Sequence, residues 1–230
     1  MLWQEKTDPS NYIVPDDVVD LSFRMECREL PLDHAWALCS AIESALPWIS
    51  IEPDAGIHSI HGAASGNGWE RPPEQPDSLL QLSRRTRLYL RLPKHRLEDA
   101  EALVGSNLDL DGFQLKVGDF QIKQLVPAST VFSRAVRSEN IEDEEVFTDE
   151  LVGLLERHGI EASKLLCGLS HKLHTPDGAF TARSVLLADL EPSQSITLQQ
   201  RGLGLSRILG CGIFLPHKSL AAVGTEQDND

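Results

Sequence analysis

Histidines are the residues of this chain best suited to proton transfer, because the unperturbed pKa of imidazole lies near working pH. The chain has 230 residues and eight histidines. Three of them are our candidates for catalysis: His34, just after Asp33 at a predicted helix start, and His58 and His61, in a predicted strand. His61 is three residues from His58, so in a regular strand the two side chains point to opposite faces and make a poor metal pair.

An arginine series is the second feature with chemical potential. Arg85, Arg87 and Arg91 are separated by even numbers of residues, so in a strand all three side chains share one face. Such a charged row predicts a track for phosphates, although a solvated sheet face is the commoner reason for it. Tyr89 on the same face and Trp69 in a predicted loop are candidates for stacking on bases.

A glycine-rich segment near the end of the chain could bind an anion. Its residues of interest are Gly202, Gly204, Ser206, Arg207, Gly210 and Gly212. Glycines let a backbone approach a phosphate closely, exposed N–H groups can form an anion-binding nest, and an arginine reaches a phosphate with two donors. The segment follows a predicted helix and precedes a strand, the reverse of a dinucleotide-binding fingerprint, and it lacks the Walker lysine. A simple glycine-rich turn would look the same.

Charge and cysteine content limit the classes of protein that the chain can belong to. The net charge is −14, which argues against wholesale polyanion binding, but six bases cluster between residues 84 and 96 and could form a basic groove on an acidic body. The four cysteines are scattered without a C-x-x-C pair, and no carboxylate cluster suits magnesium, so we expect no metal and no cofactor. Without an export signal or an apolar run of ~18 residues, we expect a cytoplasmic protein without a membrane partner.

The first part of the chain, residues 1–137, shows a strand–helix–strand–strand–helix–strand order. The predicted strands cover 18–25, 56–61, 87–92 and 131–136, the helices follow Asp33 and cover 97–104, and an extra hairpin turns at Asp111-Gly112. This is the order of the ferredoxin-like fold. We expect that fold to bring the strand carrying His58 beside the first strand, so that His34 and His58 face one cleft.

The second part, residues 138–230, repeats the pattern in a weaker form. The predicted elements are a helix over 146–157, strands over 164–167 and 184–188, a helix over 193–200 with Ser193 as its cap, and a strand over 210–215. The first strand of a second ferredoxin-like unit is missing, and an acidic tail over 226–230 follows. The sequence therefore predicts an α+β chain of tandem ferredoxin-like (RRM-like) βαββαβ modules, the second of them degenerate, with a C-terminal glycine-rich loop.

Five segments give the chain a resemblance to a known family. They are residues 30–34, 56–60, 87–93, 195–199 and 202–216. The glycine loop near the end of a tandem ferredoxin-like chain resembles the repeat-associated (RAMP) superfamily of CRISPR proteins. With the segments around His34 and His58, the chain resembles more closely the CRISPR repeat-RNA processing endoribonucleases of the Myxan subtype, from about Val18 to Lys218.

The resemblance implies an activity and partners. It implies metal-independent cleavage of CRISPR precursor RNA within its repeats by the 2′-hydroxyl next to the scissile phosphate, giving a 2′,3′-cyclic phosphate and a 5′-hydroxyl. A base, an acid and cations for the phosphorane would be needed. The partners would be repeat RNA or guide RNA and other subunits of a multi-protein CRISPR effector complex.

Three alternatives stay open at this stage. A catalytically inactive RAMP subunit that only binds guide RNA would share the glycine loop and the arginine strand. A two-histidine phosphoesterase needs two His-x-Thr/Ser motifs, and only His217-Lys218-Ser219 fits. An interaction protein whose acidic faces bind basic partners would have no affinity for repeat RNA.

Overall fold

Two antiparallel β-sheets form the framework of the chain, which a computed structural model describes at residues 12–62, 78–139, 141, 143–161 and 164–217. The architecture is α+β, as the sequence predicts. No helix in these ranges is long and apolar enough to cross a membrane. Trp69 and the acidic tail lie outside the described residues.

The first sheet has five strands in the order β3-β5-β1-β7-β6. The elements of this part are β1 (Val18–Glu26), β2 (Glu29–Pro31), α1 (Ala35–Ala45), β3 (Gly56–Ile57), β4 (Leu79–Gln81), β5 (Arg87–Pro93), α2 (Leu97–Ala100), β6 (Asn107–Leu110) and β7 (Phe113–Lys123). Alternation places Leu21, Phe23, Leu88 and Leu90 in a core with α1, while the other face of β1 and β5 carries polar side chains. β2 and β4 pair separately.

The second sheet has four strands in the order β11-β8-β10-β9. Its elements are β8 (Thr130–Val136), α3 (Glu144–Arg157), β9 (Lys164–Thr175), β10 (Gly178–Ala188), α4 (Pro192–Arg201) and β11 (Leu215–Pro216). Phe147 and Leu151 of α3 and Leu198 of α4 pack with strand residues in a separate core.

Two sequence-based placements of strands are wrong. The strand predicted over 131–136 as the last of the first module pairs with β10 and β11, so it belongs to the second sheet. It therefore does not complete the first predicted module. The short strand before His58 pairs with β5 rather than lying beside β1. Periodicity identifies a strand, but its partners depend on tertiary packing.

Several element ends also differ from the prediction. α2 ends at Ala100 and continues as a 3₁₀ turn, and the last strand is limited to Leu215–Pro216. Glu191, not Ser193, caps α4 through a capping box. Asp33 does not cap α1, because His34 occupies the cap position and the Asp33 carboxylate binds the backbone N–H and Nδ1 of His174 on β9, at 3.0 and 2.6 Å.

The glycine loop connects the two sheets. All four of its predicted glycines have positive φ, and at each a Cβ would collide with another segment of the chain. Gly212 donates its N–H to Ala135 of β8 at 2.6 Å, and a Cβ on it would strike the carbonyl oxygen of Leu203. Gly210 lies against Ser59 and the carbonyl of Ile57, next to the segment that carries His58. Internal packing therefore explains why these positions are glycine.

This packing predicts that two glycines with similar backbone conformations differ in tolerance. Gly105→Ala meets open space at φ +80, so we expect a loss of about 1 kcal/mol from the left-handed conformation alone. Gly212→Ala at φ +67 must also displace backbone, so we expect a loss of about 3 kcal/mol or more. Urea unfolding measures both, and equal losses would contradict the packing argument.

Candidate functional site

A buried ion pair underlies the polar face of the first sheet. Asp20 on β1 and Arg91 on β5 are direct cross-strand partners, and Arg91 is fully buried. The guanidinium donates Nε to Oδ1 of Asp20 at 2.8 Å and Nη2 to Oδ2 at 2.9 Å. Its Nη1 donates to the carbonyls of Gln199 at 2.8 Å and Phe214 at 2.9 Å. Arg91 thus binds the end of α4 and the segment after the glycine loop to the first sheet.

His58 binds the same carboxylate. Its Nε2 lies 3.2 Å from Oδ1 of Asp20. Burial alone would raise the pKa of Asp20, but the charge and hydrogen bonds of Arg91, with that of His58, outweigh it and hold this pKa well below its ordinary range. The carboxylate is therefore ionised and accepts the Nε2 proton, which leaves Nδ1 as the basic nitrogen of neutral His58. No described residue hydrogen-bonds to that Nδ1.

The surroundings of His58 favour its neutral form. Burial lowers the pKa of His58 below its ordinary value of 6.5, and Asp20 opposes that effect. The positive charges of Arg91 and Arg207 add to the lowering. The imidazole is thus unprotonated at neutral pH and able to accept a proton.

A cleft of about 230 Å³ lies between the first sheet and strands β8 and β11. His58 and Tyr89 line it from the first sheet side, and their rings are 5.7 Å apart between centroids. His61, Arg134 and His217 line it as well. His61 and Arg134 are exposed, and the ring of His217 lies 5.8 Å from that of Phe132. Three histidines and an arginine thus border one space, and among them His58 binds the carboxylate of Asp20.

His34 does not share this environment. It is buried, its Nε2 accepts the N–H of Ile60 at 3.0 Å, and its Nδ1 therefore carries the proton and donates it to the carbonyl of Pro31 at 2.9 Å. It does not line the cleft. Both ring nitrogens hold backbone segments together, so the geometry supports a structural role rather than the predicted proton transfer.

The three arginines of the predicted track do not share one exposed strand face, because Arg85 precedes β5 and Arg91 is buried, and contact of this series with RNA stays a prediction. Arg91 cannot contact RNA, because its side chain is fully buried in the ion pair with Asp20. Arg85 is exposed, and Arg87 is half-buried with Nη1 on the carbonyls of Arg84 and Thr86. Arg24 on β1 is the cross-strand partner of Arg87 and is exposed. The surviving track therefore lies at the far end of β5 from the buried pair.

Arg207 and Ser206 lie inside the glycine loop. Ser206 adopts a left-handed conformation, and its hydroxyl accepts a hydrogen bond of 2.7 Å from Arg137. The side chain of Arg207 packs against Gly56, with Nη2 donating to the carbonyl of Gln199 at 3.3 Å. Its Nε and Nη1 are buried without a hydrogen-bond partner among the described residues. Burial lowers the pKa of Arg207 to about 10.

The sequence reading missed three residues of this site. Asp20, Arg134 and His217 come from strands or from a strand end far apart in the chain, and only the pairing of the sheets brings them near His58. The alternation of polar and apolar residues in β1 indicates which face of the sheet Asp20 lies on, but it does not indicate which residue Asp20 pairs with. Within the described ranges, no group of three His, Cys, Asp or Glu side chains is arranged to hold a metal ion.

Comparison with known proteins agrees with this architecture. The family model described as Cas6 Crispr matches residues 19–219. A CRISPR-associated endonuclease Cas6 of Myxococcus xanthus (strain DK1622) is 30% identical over 205 residues, which cover 89% of this chain and 84% of that protein.

Solved structures share the fold at lower sequence identity. A CRISPR associated protein Cas6 superposes with a TM-score of 0.61 at 9% identity, over 87% of this chain and 100% of that one. A structure described as an RAMP protein binding different RNA substrates gives a TM-score of 0.59 at 16% identity, over 87% and 98%. From the family model and the Myxococcus relative together, the chain belongs to the Cas6 family of CRISPR proteins.

Proposed function

We propose that this protein is an endoribonuclease that cleaves CRISPR precursor RNA within its repeats, by attack of a 2′-hydroxyl and without a metal ion. Family membership and the Myxococcus relative named as an endonuclease support the substrate and the activity. The observation that carries the chemistry is the pair of Asp20 and His58, which presents a neutral imidazole at a cleft bordered by one arginine and two further histidines.

In this proposal His58 is the general base. Its Nδ1 accepts the proton of the 2′-hydroxyl while the 2′-oxygen forms a bond to phosphorus and the bond from phosphorus to the 5′-oxygen breaks. The leaving 5′-oxygen takes a proton from His61, which lines the same cleft. The products are a 2′,3′-cyclic phosphate and a 5′-hydroxyl. Arg134 supplies positive charge to the phosphorane, and Asp20 holds His58 in the required tautomer.

For the fold, we propose two ferredoxin-like units in tandem, with the boundary between them in the segment that joins β7 to β8. A β-α-β-β-α-β unit has four strands, which can be numbered 1 to 4 along the chain. In both sheets these four strands lie in the order 4-1-3-2, which is β7-β1-β5-β3 in the first sheet and β11-β8-β10-β9 in the second. That shared order supports two copies of one topology. The cleft then lies where the two units meet.

Retention of the product and assembly with other effector subunits stay predictions of the family resemblance. The inactive RAMP subunit is the second candidate, and it differs from our proposal in one respect, since it binds the RNA without cutting it. The experiments below separate the two.

We predict that cleavage of repeat RNA persists in EDTA and depends on one hydroxyl. Because the substrate supplies the nucleophile, a 2′-deoxy substitution just 5′ of the scissile phosphate should abolish cleavage and leave binding nearly intact. Gel mapping of the cut in EDTA, with a 2′-deoxy substitution several nucleotides away as control, measures this. Normal cutting of the first deoxy RNA, or a magnesium requirement for the chemical step, would refute the mechanism.

The two buried histidines should respond differently to removal. Loss of a proton-transfer group typically slows a reaction by ~10²–10⁴-fold, so His58→Ala should slow single-turnover cleavage by at least about 10² while RNA affinity changes little. His34→Ala leaves the N–H of Ile60 unbonded in the interior, so it should cost about 1–3 kcal/mol of unfolding free energy. The cleavage rate of its folded fraction should change by only a few fold.

Either of two results would overturn this assignment. One is a His58→Ala enzyme that cuts at the wild-type rate. The other is a His34→Ala enzyme of normal stability that does not cut.

The pH profile should report the state of His58. The neutral imidazole is the active form, so the rate falls as pH falls through the pKa of His58, and this midpoint should lie below 6.5. Asp20→Asn removes the influence that raises this pKa, so the midpoint should move lower still. A ¹⁵N NMR titration of the wild type, which should report a proton on Nε2, gives the same information without a mutation. A midpoint above 6.5 or a proton on Nδ1 would count against the base.

A further inference from the structure

Four arginines surround a groove on the first sheet, at the end away from His58. Arg24 on β1 and Arg87 on β5 are direct cross-strand partners. Arg28 and Arg84 join them around a groove of about 810 Å³, whose acidic lining residue is Glu26. We refer to the space between these four side chains as the arginine groove. Arg24, Arg28 and Arg84 are exposed, and Arg87 is half-buried.

The feature of the arginine groove that argues for an anionic partner is the placement of Arg24 directly opposite Arg87. None of its four arginines forms an ion pair with a described residue, although the chain has 35 acidic and 21 basic residues. Five other bases do pair with acids, namely Arg91 with Asp20, Lys94 with Asp16, Arg96 with Glu52, Lys164 with Asp189 and Arg183 with Glu144. Arg85, Arg157 and Arg201 form no ion pair with a described residue either, but none of them faces another arginine across a strand pair. Like charges directly opposite in a sheet are destabilising. The placement of Arg24 opposite Arg87 therefore costs stability unless an anion lies between the two side chains.

The arginine groove is continuous with the His58 cleft along one sheet face. Tyr89 is two residues beyond Arg87 on β5, so its side chain lies on the same face at a distance of about 6.6 Å along the strand. Ser22 is the cross-strand partner of Tyr89 and lines, with Arg24, Arg87 and Asp119, a depression of about 300 Å³ beside the arginine groove. The ring of Tyr89 then lines the cleft beside His58. A chain with regularly spaced negative charges could follow this face from the arginines to the imidazole.

We propose that the arginine groove binds the phosphates of a single-stranded RNA segment that adjoins the cleavage site. This rests on the proposed function and adds a second contact region to it, several residues along β5 from the reacting atoms. Arginine forks suit phosphates, and an open sheet face with an aromatic ring suits unpaired bases. An acidic protein segment would satisfy the charge but not the continuity with the cleft, so it is the outcome that the test must exclude.

The test measures binding without cleavage. The probe is repeat RNA with the 2′-deoxy substitution before the scissile phosphate, in EDTA, followed by fluorescence anisotropy over a range of salt. Arg24→Ala with Arg87→Ala should weaken binding about tenfold or more and reduce the slope of log affinity against log salt by roughly 1.4, about 0.7 per lost single-strand contact. Arg28→Ala with Arg84→Ala, which leaves the strand pair intact, should have a similar effect. Arg157→Ala, which removes an exposed side chain at the end of α3, is the control and should change neither quantity.

Shortened RNAs locate the segment. Nucleotides are removed stepwise from each end of the RNA. On one side of the cut, their removal should lower the affinity of the wild type to that of the Arg24→Ala/Arg87→Ala variant. The affinity of the variant itself should fall little further. Equal losses in both proteins, or an unchanged salt slope in both double variants, would overturn the proposal. Cleavage of all-ribose RNA by the wild type tests the proposed function separately. Normal cleavage by the wild type, with an unchanged salt slope in both double variants, would refute the proposal for the arginine groove alone. Absence of cleavage by the wild type, with a reduced salt slope in the variants, would refute the proposed nuclease activity.

Discussion

The ion pair between Asp20 and Arg91 is the constraint on which the rest of the site depends. A fully buried guanidinium is stable only when its donors are satisfied, and Arg91 meets this with one carboxylate and two carbonyl oxygens. The carbonyls belong to Gln199 and Phe214, in the second half of the chain. The guanidinium of Arg91, on a strand of the first sheet, therefore fixes where the second half of the chain lies. Removal of Asp20 or Arg91 would leave the other charge buried without its ionic partner and would lower the free energy of unfolding by about 3–5 kcal/mol.

The same pair determines the chemistry of His58. Asp20 has two oxygens, and Arg91 binds both, so the carboxylate stays ionised and fixed in orientation. An ionised, fixed carboxylate accepts a proton from Nε2 and leaves Nδ1 free of one. His34 lies in a different environment. Its two ring nitrogens bind the backbone of Pro31 at the end of β2 and of Ile60, so the ring joins two backbone segments.

The sequence made the fold class and most elements predictable, because alternation and helical spacing are local properties. β1, β5, the Asp111-Gly112 hairpin and α3 lie close to where those patterns place them. The sheet to which β8 belongs was not predictable, since its alternation suits either sheet. Arg91 illustrates the same limit at the site. Its spacing from Arg87 places it on the correct face, yet the second half of the chain covers that end of the strand and buries it. His58 was found from its type and segment, whereas its partner Asp20 depended on strand register.

Charge is distributed so that an acidic protein can still bind a polyanion. At long range the RNA interacts with the summed charge of the protein, and a net charge of −14 repels it. At physiological salt that repulsion is screened beyond ~8 Å. Within that range local charges dominate, and exposed Arg24 on β1 and half-buried Arg87 on β5 form no ion pair with a described residue. The excess of acidic residues weakens non-specific attraction to nucleic acid over most of the surface. The face that carries these arginines keeps a local positive charge. If RNA follows the proposed path from Arg24 and Arg87 to His58, its affinity comes from that face, and the acidity of the body then contributes to selectivity rather than opposing function.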